Sequence, residues 1–85
     1  MKIAEAMNTY NIALHTIRQM GFTISLELDD AGEEISSWVA VQDEVRVSAF
    51  TPLSLLALVV IVDKYGNDWN KVNTGRIYDE ILENS

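Results

Sequence analysis

The chain has 85 residues, which is room for one small domain, and 48% of them are hydrophobic, which excludes a disordered protein. Thirteen acidic residues against six scattered basic ones give a formal net charge of −7, which argues against direct binding to nucleic acid or an anionic membrane. The chain has no cysteine, which excludes a disulfide framework, and its N-terminus lacks a signal-peptide pattern, so we expect a cytoplasmic protein.

An amphipathic helix is predicted at the start of the chain. Its apolar residues recur at spacings of three and four, which places them on one face: Ile3, Met7, Tyr10, Leu14 and Ile17. Gly21 suits the end of this helix, because a glycine readily adopts the left-handed turn found there. His15 falls outside the apolar face and is expected at the surface.

Three strands are predicted next. Residues 22–28 alternate strictly between apolar and other side chains, as in a half-buried strand, and residues 29–34 form an acidic turn. Residues 35–41 and 45–50 form a hairpin. If its connection has two residues, five side chains share the core face: Trp38, Ala40, Val45, Val47 and Ala49. Three then point outward and could form an interface: Val39, Val41 and Phe50.

A second helix, about 52–65, is apolar on nearly every side. Thr51 can cap its N-terminus, Pro52 fits the first helical position, and Gly66 fits the C-terminal turn. The ten residues 53–62, apolar except for Ser54, rise only about 15 Å, half of the hydrocarbon thickness of a bilayer, so the helix cannot span a membrane. We therefore expect it at the centre of the core, buried all round, with another subunit over part of it.

A short amphipathic helix over residues 74–83 completes the chain and is expected to bury Ile77 and Ile81, with Tyr78 or Leu82 beside them. The predicted fold is α+β: a single small domain, 1–85, with element order α-β-β-β-α-α. Its three-stranded antiparallel meander packs on helices around the apolar central helix.

No catalytic, cofactor-binding or metal site is predicted. One histidine and no cysteine do not make a zinc site, and the acidic turn does not reproduce an EF-hand loop. No glycine-rich phosphate loop is present, and no serine stands in a nucleophile motif. Trp38 and Trp69 are expected to pack rather than to bind a ligand. The sequence therefore favours a non-enzymatic protein without cofactors.

Protein–protein contact is the function that remains, and a homodimer is the first expectation, because 85 residues cannot easily cover every side of the second helix. An acidic rim could contact a basic protein partner, or could serve only solubility: Asp29, Asp30, Glu33 and Glu34. In size, acidity and element order the chain resembles small inhibitor proteins of phages and other mobile elements, although no motif carries this resemblance. The resemblance implies an inhibitor, and the acidic rim suggests a basic, nucleic-acid-binding protein as its target. A small-ligand-binding domain is the third alternative and requires a cavity between the second helix and the sheet.

Overall fold

A computed structural model that describes residues Met1–Ser85 contains a three-stranded antiparallel sheet in the order β1-β2-β3, with the two longer helices packed on one face. The strands are β1 Thr23–Leu28, β2 Ile35–Gln42 and β3 Val45–Ala49. The helices are α1 Tyr10–Gln19, α2 Pro52–Tyr65 and α3 Ile77–Glu83, with short 3₁₀ segments at Met7–Thr9 and Gly66–Lys71. The predicted α+β fold, the meander and the order of its elements are confirmed.

The β2–β3 hairpin has a two-residue turn, Asp43 and Glu44, which is the condition under which its core face was predicted. Asp43 takes the left-handed conformation there, with φ of 53°, which aspartate tolerates better than most residues. The register pairs Trp38 with Ala49 and Ala40 with Val47. These four side chains therefore share one face of the sheet, as the alternation of the sequence predicts.

The core lies between that face and the two longer helices. Seven buried residues form it: Ile17, Phe22, Ala40, Val47, Ala49, Leu55 and Val59. Helix α2 begins and ends as predicted, because the Thr51 hydroxyl accepts a hydrogen bond of 3.1 Å from the Ser54 N–H and Gly66 turns the chain at positive φ. Its Leu55 and Val59 have no exposed surface.

The expectation that α2 is buried on every side is wrong for the single chain. Only Pro52, Leu55 and Val59 are buried, whereas a row on the other side remains substantially exposed: Leu58, Val60 and Ile61. The reason is geometric, because one sheet and helix α1 can shelter only one side of a cylinder. The remaining apolar side of α2 faces outward.

Helix α1 is shorter than predicted. It begins at Tyr10, so Ile3 and Met7 lie before it and are exposed, and its buried residues are Ala13 and Ile17. The Thr9 hydroxyl donates to the carbonyl oxygen of Ala6, a local bond that competes with helix formation at that point. A similar local turn delays α3, where Gly75 has positive φ and its N–H donates to Asn73 Oδ1 at 3.3 Å.

Candidate functional site

The surface of the chain is larger than that of a compact monomer. The accessible area is 7009 Å², whereas a folded monomer of 9.5 kDa exposes about 5,000 Å². The radius of gyration is 15.1 Å, against about 12 Å for a compact domain of this length. The chain therefore carries a surplus of about 2,000 Å² of surface.

Much of this surplus belongs to the C-terminal part of the chain. Every residue from Asp63 to Ser85 is exposed, and α3 makes no extensive contact with any strand or longer helix. The side chains predicted to be buried by α3 are 55–76% exposed: Ile77, Tyr78, Ile81 and Leu82. The predicted burial is therefore wrong within one chain, although the amphipathic helix itself is present. Its apolar face has no partner within the chain.

A cleft of about 420 Å³ opens between α1 and β1, and we call it the α1–β1 cleft. Four apolar side chains form its floor: Leu14, Ile24, Leu26 and Trp38. The side chains of Asn11, His15 and Arg18, all on α1, stand along its edge. Arg18 takes part in none of the ion pairs of the structure, so this cleft has an apolar floor and a free positive charge at its rim.

A larger groove of about 540 Å³ runs between α1, α2 and the N-terminal segment. Its apolar lining includes Ile3, Ile12, Leu53, Leu56 and Ala57, and its only charged lining residue is Glu5. We call it the α1–α2 groove. It differs from the α1–β1 cleft in having no basic side chain.

The three residues predicted as an interface do not form one open patch. Val39 lies on the outer face of the sheet, as predicted, but is only 1% exposed, because the Arg46–Glu27 ion pair crosses the sheet above it. Val41 is half-buried, and Phe50, just beyond β3, is 85% exposed. Phe50 is thus the member of this set that a partner could contact most directly.

The acidic rim is a turn between β1 and β2. Asp29 Oδ1 accepts a hydrogen bond of 2.9 Å from the Glu33 N–H, and the Asp29 N–H donates to the Glu34 carbonyl at 2.8 Å. The Glu33 N–H, and to a smaller extent those of neighbouring turn residues, hold the pKa of Asp29 below its usual 3.8, against an opposing effect of desolvation. Asp29 therefore stabilises the turn, whereas Asp30, Glu33 and Glu34 are exposed.

The remaining residues singled out in the sequence have structural positions. His15 is exposed, and Trp38 packs against the core, both as predicted. Trp69 lies in a shallow groove beside Leu58 and Ile61 but keeps 55% of its surface exposed, so it covers α2 only in part. No three acidic or histidine side chains stand together as a metal site would require.

None of the helices combines the length and the apolar character needed to cross a bilayer. Comparisons with protein-family models, with curated proteins and with solved structures found no match. The surface described above is therefore the basis for a functional proposal.

The sequence did not reveal the α1–β1 cleft. The sequence placed His15 only off the apolar face of α1, and no periodicity indicates which element a polar flank will meet. The cleft is formed where residues of α1 and β1 meet and Leu26 stays 45% exposed, a consequence of tertiary packing.

Proposed function

We propose that this chain is a small, acidic, non-enzymatic cytoplasmic protein that acts through protein–protein contacts, and that its first partner is a second copy of itself. The observation that carries the proposal is the surplus of about 2,000 Å² over a compact monomer. A standard stable interface buries about 800 Å² on each partner. The surplus is large enough for such an interface, and much of it is contributed by large apolar side chains.

A twofold dimer suits this surface, because it buries the same patches on both subunits. The exposed apolar residues are spread over α2, α3 and the edge of the sheet, and a soluble monomer rarely leaves so much apolar surface uncovered. Self-association covers this apolar surface without requiring a partner of any other kind.

The ligand-binding alternative has less support. It needed a cavity between α2 and the sheet, and that space is filled by Leu55 and Val59 from the helix, packed with Ala40 and Val47 from the strands. The clefts that do exist are open to solvent at the surface. Surfaces of this kind suit a protein partner better than an enclosed small molecule.

Co-capture of two copies tests the proposal. Chains with two different affinity tags are co-expressed, purified through one tag and examined for the other. We expect both tags in the captured material. The control is a monomeric protein co-expressed with the same two tags, which shows how much of the second tag the resin retains without self-association. Capture of only the first tag, at micromolar concentration, would contradict self-association.

The acidic rim supports a second candidate, contact with a basic protein such as a nucleic-acid-binding enzyme that the chain would inhibit. The observation in its favour is that Asp30, Glu33 and Glu34 are exposed and join no ion pair. A negative field of this kind speeds encounter with a positive surface and weakens with salt.

Charge reversal tests the second candidate. Asp30, Glu33 and Glu34 are changed to lysine, and Asp29 is kept because it holds the turn. The matched control reverses three exposed acids elsewhere: Glu5, Glu44 and Asp63. We expect the rim variant alone to lose salt-sensitive binding to a basic host protein. Equal retention of that protein by both variants would mean that the rim serves only solubility.

A further inference from the structure

We propose that α3 of one copy docks in the α1–β1 cleft of a second copy, and that the exchange is reciprocal. This inference rests on the proposed self-association and specifies which surfaces meet. The same chain carries both halves of the contact, an unpartnered amphipathic helix and an open apolar cleft, so a twofold arrangement satisfies both at once.

Helix α3 requires a packing partner. It has seven residues, and a helix of that length is unstable in water unless tertiary contacts support it. Within its own chain it makes no extensive contact with any strand or longer helix, and its four apolar side chains are 55–76% exposed. The partner that stabilises α3 must therefore come from outside the chain.

The apolar surfaces of helix and cleft correspond. Ile77 and Ile81 lie one turn apart, and Tyr78 and Leu82 lie beside them, so the four side chains form a single stripe. An amphipathic helix lays such a stripe along an apolar groove in many protein complexes. In the α1–β1 cleft, the partly exposed Leu26 and Trp38 would receive it.

Charge selects the α1–β1 cleft over the larger α1–α2 groove. Helix α3 is acidic, and Arg76 already lies 3.5 Å from Asp79 and 3.4 Å from Glu83, which leaves Glu80 without an ion-pair partner. Arg18 at the rim of the cleft is also free, whereas the only charge lining the groove is that of Glu5. Docking at the cleft brings opposite charges together, and docking at the groove brings like charges together.

The area is sufficient for a stable dimer. A reciprocal exchange buries two helix faces and two clefts, and an interface of standard size needs about 800 Å² from each partner. The surplus of about 2,000 Å² per chain exceeds that requirement. A second copy can therefore account for the exposed surface of α3 and of the cleft together.

Disulfide cross-linking tests the arrangement, and the absence of native cysteine makes it clean. Three single variants are prepared: Ser85→Cys at the end of the α3 stripe, Asn11→Cys at the cleft and Ala57→Cys in the α1–α2 groove. The Ser85→Cys chain carries a tag that changes its mass and is mixed in turn with each of the others before oxidation. We expect a mixed cross-linked species with Asn11→Cys and none with Ala57→Cys.

Three results would overturn the arrangement. A mixed species with Ala57→Cys would place α3 in the groove, and no mixed species with either partner would mean that α3 docks elsewhere. The double variant Asn11→Cys/Ser85→Cys tests whether α3 folds back on its own cleft. If it forms an intramolecular disulfide, and stays a monomer, at both high dilution and high concentration, α3 docks within its own chain and the exchange is contradicted. The masses of the unoxidised samples distinguish self-association from the reciprocal docking of α3. A dimeric mass without the expected cross-link would refute the docking of α3 and leave self-association standing.

A charge variant provides the second test. Arg18→Glu should weaken self-association at least fivefold more than Lys64→Glu does, as measured by sedimentation equilibrium. Lys64, at the exposed end of α2, is the matched control because its reversal changes the net charge by the same amount away from the cleft. Equal weakening by both variants would mean that Arg18 acts only through net charge, and the docking of α3 beside it would be refuted.

Discussion

Arg46 and Glu27 form an ion pair across the full width of the sheet, although they lie on opposite edge strands. Arg46 is paired in register with Val41, and Glu27 with Ser37, so the line that joins their side chains crosses Val39 midway on β2. This arrangement explains why Val39 is buried on a face that α1 and α2 do not cover. The aliphatic stem of an arginine can shield an apolar neighbour in this way while its charged end stays in water.

Arg46→Ala should therefore cost more stability than Glu27→Ala, because it removes both the ion pair and the cover of Val39. Both groups are about half exposed, so solvent screening limits the coupling energy between them to about 0.2–1 kcal/mol. Urea denaturation of the wild type, both single variants and the double variant measures this coupling. Lys71→Ala, which breaks the exposed Lys71–Asp68 pair, is the control and should change stability least. Equal costs for Arg46→Ala and Lys71→Ala would contradict the covering role.

Leu55→Ala should lower the free energy of unfolding by about 2–5 kcal/mol, because Leu55 has no exposed surface and its removal leaves a cavity beside the sheet. Leu58→Ala on the same helix is the matched control. Leu58 is 39% exposed, so we expect a cost of about 1 kcal/mol or less. Chemical denaturation at equal protein concentration compares them, since association also contributes to stability. Similar costs would mean that the buried side of α2 has been misassigned.

These elements show what the sequence could predict. The hairpin and its core face follow from the alternation around Trp38 and from a two-residue connection, both of which are local. The bounds of α2 follow from Thr51 and Gly66, because a cap and a left-handed turn act within a few residues. Local patterns of this kind predict secondary structure, and they predicted the hairpin and the bounds of α2 correctly.

Burial depends on which elements meet, and there the sequence was less informative. Val39 was predicted as a possible interface residue because the alternation of the hairpin points it outward. Its burial was missed because Arg46 and Glu27, which cover it, are distant in sequence and meet only through the register of three strands. Helix α3 was predicted to be buried because its stripe is apolar, yet a stripe does not specify the chain against which it packs. The α1–β1 cleft has no local signature for the same reason.

Asp29 should make stability depend on pH in the acidic range. Its pKa in the folded chain lies below the usual 3.8, chiefly because its carboxylate accepts the Glu33 N–H. Its contribution is therefore fully present above the unfolded pKa and is lost as the pH falls through the lower, folded value. The stability difference between wild type and Asp29→Asn should shrink as the pH falls below 3.8. Asp30→Asn is the control, because it removes the same charge from the next residue and so corrects for net charge. A stability difference between wild type and Asp29→Asn that grows toward low pH would contradict the role of Asp29 in the turn.

Light scattering coupled to size exclusion measures most directly whether this chain is a subunit of a dimer. The wild-type chain, run at micromolar concentration, should give twice its mass of 9.5 kDa. The double variant Ile77→Asp/Ile81→Asp is the comparison, because it places charges on the apolar face of α3 and should shift the mass toward that of a single chain. A wild-type mass of 9.5 kDa throughout the concentration series would contradict self-association.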